Sequence, residues 1–309
     1  MSDTKKKNRR SQAPIALVYF LTMLIFLAAF AVISVVLLEK FNVIDNNSST
    51  TEVKIKSVTY NNLYARVNSK GVLCDLAVVR IAPESQKIVV IPISAYTVSS
   101  SQNTKTFREL YAEGGITKLK KAVTETYGLD VDNYVSVSNT AFETCADIFG
   151  GFSYTPPEEL YYLSQGSNDN DISLNKGELV NLSGRQIRLI CSYPVFSSGK
   201  QGNTEFLGTA LKELINNAFR QSKITIDNLD NLYDIITSNS DTDFEKEDFK
   251  LQKSYIKEMI QENLTPADAM IPQGEWTDDS HFKVSDDFVK SLSQMTESTS
   301  PIVEESSQE

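Results

Sequence analysis

Two apolar, β-branched runs separated by a single polar turn restrict this chain more than any other feature. Leu73 to Ile81 and Lys87 to Ile93 flank Ala82-Pro83-Glu84-Ser85-Gln86, the composition of adjacent sheet strands. Neither run alternates between apolar and polar residues. Both strands of this hairpin are therefore expected to be covered on both faces, which requires helices on either side of a central sheet. One carboxylate, Asp75, interrupts the first run. Among Leu73, Leu76, Val78 and Val79 it either faces solvent at a strand end, the commoner placement, or belongs to a site, because an unpartnered buried acid is costly.

The second constraint lies upstream. Residues 15–38 form 24 consecutive uncharged positions, long enough to cross a hydrocarbon layer of about 30 Å. Lys5, Lys6, Lys7, Arg9 and Arg10 precede them, whereas Glu39 and Lys40 follow, so the positive-inside bias places the N-terminus in the cytoplasm. A cleaved signal peptide is the rival reading, since Ala29-Phe30-Ala31 has the small residues of a cleavage site. The apolar run continues well past it through Val32, Ile33, Val35 and Leu38, longer than a signal sequence needs, and we read an anchor.

The expected organisation is a basic cytoplasmic tail (1–14), a transmembrane helix (15–38), a polar tether (39–52), one extracellular α/β domain (53–295) and a disordered acidic tail (296–309). The fold expected of the domain is a single layered unit with a central mixed β-sheet flanked by helices. Alternation across residues 53–67 suggests one or two strands before the hairpin. Past Gly114-Gly115, a helix is expected over Ile116–Tyr127, then a strand at Asn133–Val137 and a helix at Thr140–Phe149. The segments 178–182 and 187–191 read as two strands or as a short helix and a strand. Amphipathic helices follow over 205–220, 226–237 and 245–263, then strands or loops around 270–276 and 282–284.

Charge and cysteine content narrow the function. Ahead of residue 15 lie five of the 30 basic and one of the 40 acidic residues, so the portion beyond carries 25 basic and 39 acidic side chains, a net of −14. That balance argues against nucleic acid or an anionic surface as partner of the domain. Cys74, Cys145 and Cys191 cannot all pair within one chain, and such sparse usage suggests a fold held by its core. Which of them are joined stays open. With His281 the single histidine and no cysteine pair at zinc spacing, a catalytic zinc site is not expected.

Several stretches carry a resemblance. An N-terminal anchor precedes an acid-bearing strand, CDLAVVRIAP, and then KIVVIPISAYTV. The run FRELYAEGGITKLKKAVTETYGLDVDNYVSVSNTAFETCADIFGGFSYTPPEEL follows, with KGELVNLSG and MIPQGEWTDDSHFKVSDDFVKSL beyond it. Over residues 60 to 295 the chain resembles the LytR-CpsA-Psr family, also called cell envelope-related transcriptional attenuator domains. The strongest part is Phe107 to Pro157.

The resemblance implies an α/β domain outside a Gram-positive type membrane, with a long apolar cavity for a polyprenyl tail. It further implies phosphotransferases that move a glycopolymer from a polyprenyl pyrophosphate carrier to peptidoglycan with a divalent cation. Such a reaction needs arginine forks and carboxylate-held metal to meet the concentrated charge. In this register the family's turn arginine and aspartate fall on Ala95 and Tyr96, with Thr97 retained. The arginine before the first-strand acid falls on Leu73, and the later arginine pair on Ser192 and Pro194. Asp75 alone matches a metal-binding position, a weak magnesium site unless substrate phosphates complete it. Relocated phosphate contacts are sought in Arg66, Arg80, Arg108 and Arg185, with Arg80 the least comfortable in an apolar run.

These departures lead to the expectation of a non-catalytic, degenerate member that binds polyprenyl-linked or other lipid, or partners an active enzyme in cell-wall glycopolymer attachment. No cofactor is then required. The alternative is an active phosphotransferase with magnesium. Direct action on transcription is not expected, because residues 1–14 are too few to fold as a DNA-binding domain.

Overall fold

The computed structural model describes residues 59–164, 170–238 and 240–297. The segments read as cytoplasmic tail, transmembrane helix and tether lie outside them, as do residues 298–309. Among the described residues no helix is long and apolar enough to cross a membrane.

The domain is an α/β unit built on a mixed sheet. It opens with β1 (Tyr60–Val67), β2 (Leu73–Ala82) and β3 (Lys87–Ile93), three successive antiparallel neighbours. The expected hairpin is β2–β3. Its turn is a short 3-10 segment, Pro83–Ser85, closed by Gln86 at φ 53°, whose N–H donates to the Pro83 carbonyl. Beyond β1 lies β4 (Asn133–Ser138) in parallel, then the short antiparallel β9 (Asp241–Thr242), and on the far edge β10 (Ala267–Ala269) runs parallel to β3. Three peripheral pairs join β5 (Phe152–Tyr154) to β8 (Val180–Leu182), β6 (Leu160–Tyr162) to β7 (Ile172–Leu174), and β11 (Gly274–Asp278) to β12 (His281–Val284).

Seven helices appear among the described residues. They are α1 (Phe107–Tyr127), α2 (Asn139–Ile148), α3 (Gly184–Cys191), α4 (Lys200–Arg220), α5 (Ser222–Ser238), α6 (Lys246–Glu262) and α7 (Asp286–Glu297). The helix expected from Ile116 is present, and a shorter helical segment from Phe107 precedes it, opened by the reciprocal capping box of Thr106 and Glu109. Gly114 and Gly115 leave helical geometry and separate the two helical segments, as expected, and Gly115 takes φ 63°, which a residue with a Cβ rarely adopts. Around Gly184 the order is strand then helix, unlike either expected arrangement, since Ser183 and Gln186 form a second capping box that starts a helix at Gly184. Helix α7 was not anticipated, and it takes in Thr296, where the disordered tail was expected to begin.

Strand parity sorts the side chains of the sheet. On one face Leu63, Ala65, Leu76, Val78, Ile91 and Ile93 pack under Phe107, Leu110, Leu119, Val123 and Tyr127 of α1 and Phe288 and Leu292 of α7. The other face is covered by α2 to α6. Phe142, Ile187, Ile190, Phe206, Leu207 and Leu214 form one cluster there, and Ile81, Ile88, Phe219, Met259 and Ile260 another. Covering both faces is what the continuous apolar runs of β2 and β3 require. On this second face β1 presents Asn62, Tyr64 and Arg66, and β2 presents Asp75 directly across from Arg66.

Candidate functional site

Strand ends and helix ends converge at one edge of the sheet, where the carboxyl ends of β1, β3 and β4 lie beside the start of β2. Crevices in layered α/β domains form at such places. A cavity of about 430 Å³ opens here, lined by Cys74, Asp75, Ala95, Tyr96, Arg108, Ser192, Tyr193, Pro194, Lys200 and Asn203, among others. The sequence-matched positions Leu73, Ala95, Tyr96, Ser192 and Pro194 thus meet around one opening, with Asp75 in its wall.

Asp75 is buried, not exposed at a strand end, and the reason is Arg66. The Arg66 guanidinium spends all three of its nitrogens: Nε donates to Asp75 Oδ2 at 2.5 Å, Nη1 to Asn139 Oδ1 at 2.5 Å and Nη2 to Ser192 Oγ at 3.1 Å. Arg66 is 1% exposed and Asp75 5%. Buried ion pairs persist when further hydrogen bonds support them, and Asn139 and Ser192 each accept one from Arg66. Burial depresses the Arg66 pKa, but the Asp75 carboxylate more than reverses that, so the group is held charged above its ordinary range.

The outer wall is cationic. Arg108 Nη1 donates to the Tyr96 hydroxyl at 2.7 Å, with its guanidinium carbon 5.6 Å from the ring centroid. Lys200 Nζ stands 3.6 Å from the same centroid. Tyr96 therefore carries two cations, one on its hydroxyl and one on its π face. With Arg66 and Asp75 neutralising each other, Arg108 and Lys200 leave this wall positively charged, in a domain whose overall balance is acidic. The site suits an anion.

Other candidates sit elsewhere. Arg80 is buried on β2, five residues and about 17 Å along the strand from Asp75, with Nη1 donating to Asn61 Oδ1 at 3.2 Å. Burial lowers its pKa. Arg185 is exposed on α3. Thr97, the retained turn residue, is fully buried, 3.5 Å from the Tyr127 hydroxyl. Cys74 and Cys191 border the cavity, but burial raises both thiols above their ordinary pKa, the opposite of a poised nucleophile. All three cysteines are free.

Among the described residues no group of three or more His, Cys, Asp and Glu side chains could hold a metal ion, so a magnesium ion beside Asp75 would take most of its oxygen ligands from a bound phosphate. The one carboxylate in place has an oxygen engaged by Arg66.

A second cavity, about 420 Å³, lies between the sheet and helices α2, α4, α5 and α6. Its wall is almost wholly apolar, including Val79, Ile81, Val137, Ala141, Phe142, Leu214, Phe219 and Ile256. Tyr64 also lines it, and Phe142 links it to the first site: its ring centroid is 6.3 Å from that of Tyr64 and 5.9 Å from the Arg66 guanidinium carbon. An apolar chamber thus backs onto the Arg66–Asp75 pair, whose other side faces the cationic cavity.

Sequence reading missed Asn139, Asn203 and Tyr64. The Ser138-Asn139 helix start was the only signal for the first, and an isolated tyrosine in a strand gives none.

Residues 76–297 match the model of the LytR_cpsA_psr family. The chain belongs to that family. Among solved structures, this LytR_cpsA_psr protein is similar to a putative transcription regulator from Eubacterium siraeum, at 18% identity and TM-score 0.68, over 81% of this chain and 98% of that one. It is also similar to B. subtilis TagV, at 16% identity and TM-score 0.62, over 79% and 98%. A third likeness is to TagT bound to LIIa-WTA, at 14% identity and TM-score 0.62, over 81% and 96%. At these identities the likeness establishes a shared fold. No protein of curated function matches the chain in sequence.

Proposed function

We propose that this LytR_cpsA_psr protein is a non-catalytic lipid binder of the cell envelope that takes part in cell-wall glycopolymer attachment. Residues 15–38 anchor it, residues 1–14 remain cytoplasmic, and the α/β domain faces outward. The apolar chamber takes the chain of a polyprenyl-linked ligand, whose phosphates extend from the chamber end past the Arg66–Asp75 pair toward the cationic cavity. Family membership and the likeness to TagT, whose structure holds LIIa-WTA, support a ligand of this class.

The observation that carries the non-catalytic reading is the Arg66–Asp75 ion pair. Phosphoryl transfer needs charge neutralisation aimed at the reacting oxygens. Here the best-buried arginine is spent on the one available carboxylate, and the carboxylate on the arginine. What remains, Arg108 and Lys200, can bind a phosphate without a metal. No cofactor is needed for that role.

A second reading is favoured by those same two cations: they line one cavity with Asp75, and an active magnesium-dependent phosphotransferase would need such a cluster. Incubating the full-length protein in nanodiscs with lipid-linked glycopolymer, peptidoglycan and magnesium separates the two. The expected result is binding of the donor without transfer. Turnover that disappears in Asp75→Ala would establish the enzyme instead.

A further inference from the structure

Among the described residues two buried side-chain oxygens have no hydrogen-bond partner, Ser240 Oγ and the Tyr64 hydroxyl. Tyr64 is the informative one because it lines the apolar chamber. A buried phenol ordinarily finds a partner, since an O–H stripped of water and left unpaired costs stability. Among the described residues nothing supplies one.

Its place along β1 indicates what could. Side chains 62, 64 and 66 follow one another on one face of the strand at a spacing of about 7 Å. Asn62 donates to Gln252 Oε1 at 2.8 Å, and Arg66 is tied to Asp75. Tyr64 stands between them, at the point where the apolar wall gives way to charge. Burial first, and the Asp75 charge second, hold its pKa well above the usual range, so it remains a neutral donor. A donor with no acceptor at the end of a hydrophobic chamber is suited to the first oxygen of a ligand whose chain fills that chamber.

We propose that the Tyr64 hydroxyl donates a hydrogen bond to the phosphate end of a polyprenyl phosphate and so sets how far the lipid enters toward Arg66. The assignment rests on the lipid-binding reading above and adds a specificity-determining residue to it. Arg66 is already tied to Asp75, Asn139 and Ser192, whereas the Tyr64 hydroxyl discriminates headed from headless chains: a hydrocarbon leaves it unpaired, and sites built around a buried polar group reject ligands that cannot satisfy it.

The test compares full-length wild type and Tyr64→Phe in nanodiscs, with a polyprenyl monophosphate and a polyprene of equal length bearing no oxygen. Binding is read by displacement of a fluorescent isoprenoid-chain probe. Tyr64→Phe is expected to weaken the monophosphate about ten-fold, to leave the hydrocarbon bound as well or better, and to melt no lower than wild type when unliganded. Equal monophosphate affinity for the two proteins overturns the role of Tyr64 while leaving lipid binding intact. Failure of wild type to bind either lipid overturns both readings.

Discussion

Arg66 and Asp75 face each other across adjacent strands, and Arg66 Nε donates to Asp75 Oδ2 at 2.5 Å in a position almost wholly withdrawn from solvent. The pair joins the end of β1 to the start of β2 and, through Asn139 and Ser192, fastens α2 and the residue after α3 to the same point. It is at once a structural tie and a charge partner that occupies one oxygen of the cavity acid.

Removing one member of this pair leaves the other charge buried without its partner. Asp75→Ala is expected to lower unfolding stability by about 3–5 kcal/mol. The double substitution Arg66→Met with Asp75→Leu should cost far less than the sum of the two single changes. Urea unfolding of the four proteins gives the coupling, and additive losses would show that the pair is not a coupled unit.

Phosphate binding should depend on Arg108 and Lys200, and not on Arg80. Arg108→Ala and Lys200→Ala are each expected to weaken polyprenyl pyrophosphate about ten-fold. The effect should shrink as salt is raised, because partly exposed charges are screened. Titration at two ionic strengths checks both points. An Arg80 variant that lost affinity while these two did not would move the head group to the other end of β2.

Filling the apolar chamber should abolish lipid binding while sparing the fold. Ala141 on α2 lines that chamber, and Ala141→Trp introduces a ring where a chain would lie. The expected stability loss is about 1–3 kcal/mol, the usual cost of overpacking. Retained affinity for a polyprenyl ligand in a folded variant would place the chain elsewhere.

Cys145, also in the chamber wall, has its thiol pushed up from 9.0 to about 11 by burial. Alkylation needs the thiolate, so at pH 8 the folded protein should react at Cys145 about a hundred-fold more slowly than the unfolded chain. The sign for stability follows. Below pH 9 neither state ionises this group and its contribution is fully present; as pH rises from 9 through about 11 the unfolded state ionises first and stability falls. Mass-resolved alkylation and denaturation at pH 8 and pH 10 measure the two effects.

The architecture was largely written in local pattern. Continuous apolar runs at 73–81 and 87–93 meant a hairpin covered on both faces, and the helical spacing of Ile116, Leu119, Val123 and Tyr127 placed a helix against it. Such signals are legible because burial acts on each residue through its neighbours in sequence. The break at Gly114-Gly115 and the capping boxes at Thr106 and Ser183 were equally local.

The site was another matter. Composition and register gave only the expectation that the family's arginine positions fall on Leu73, Ala95, Ser192 and Pro194. They could not show that Arg66, nine residues before Asp75, lies directly opposite it, that Asn139 and Ser192 complete its bonds, or that Lys200 closes on Tyr96 from more than a hundred residues away. The partner of a buried charge is set by strand register and helix packing, in which each contact depends on chain segments distant in sequence. That is why the tertiary structure alone decided that Asp75 is a buried, neutralised acid and that Tyr64 is a donor still waiting for an acceptor.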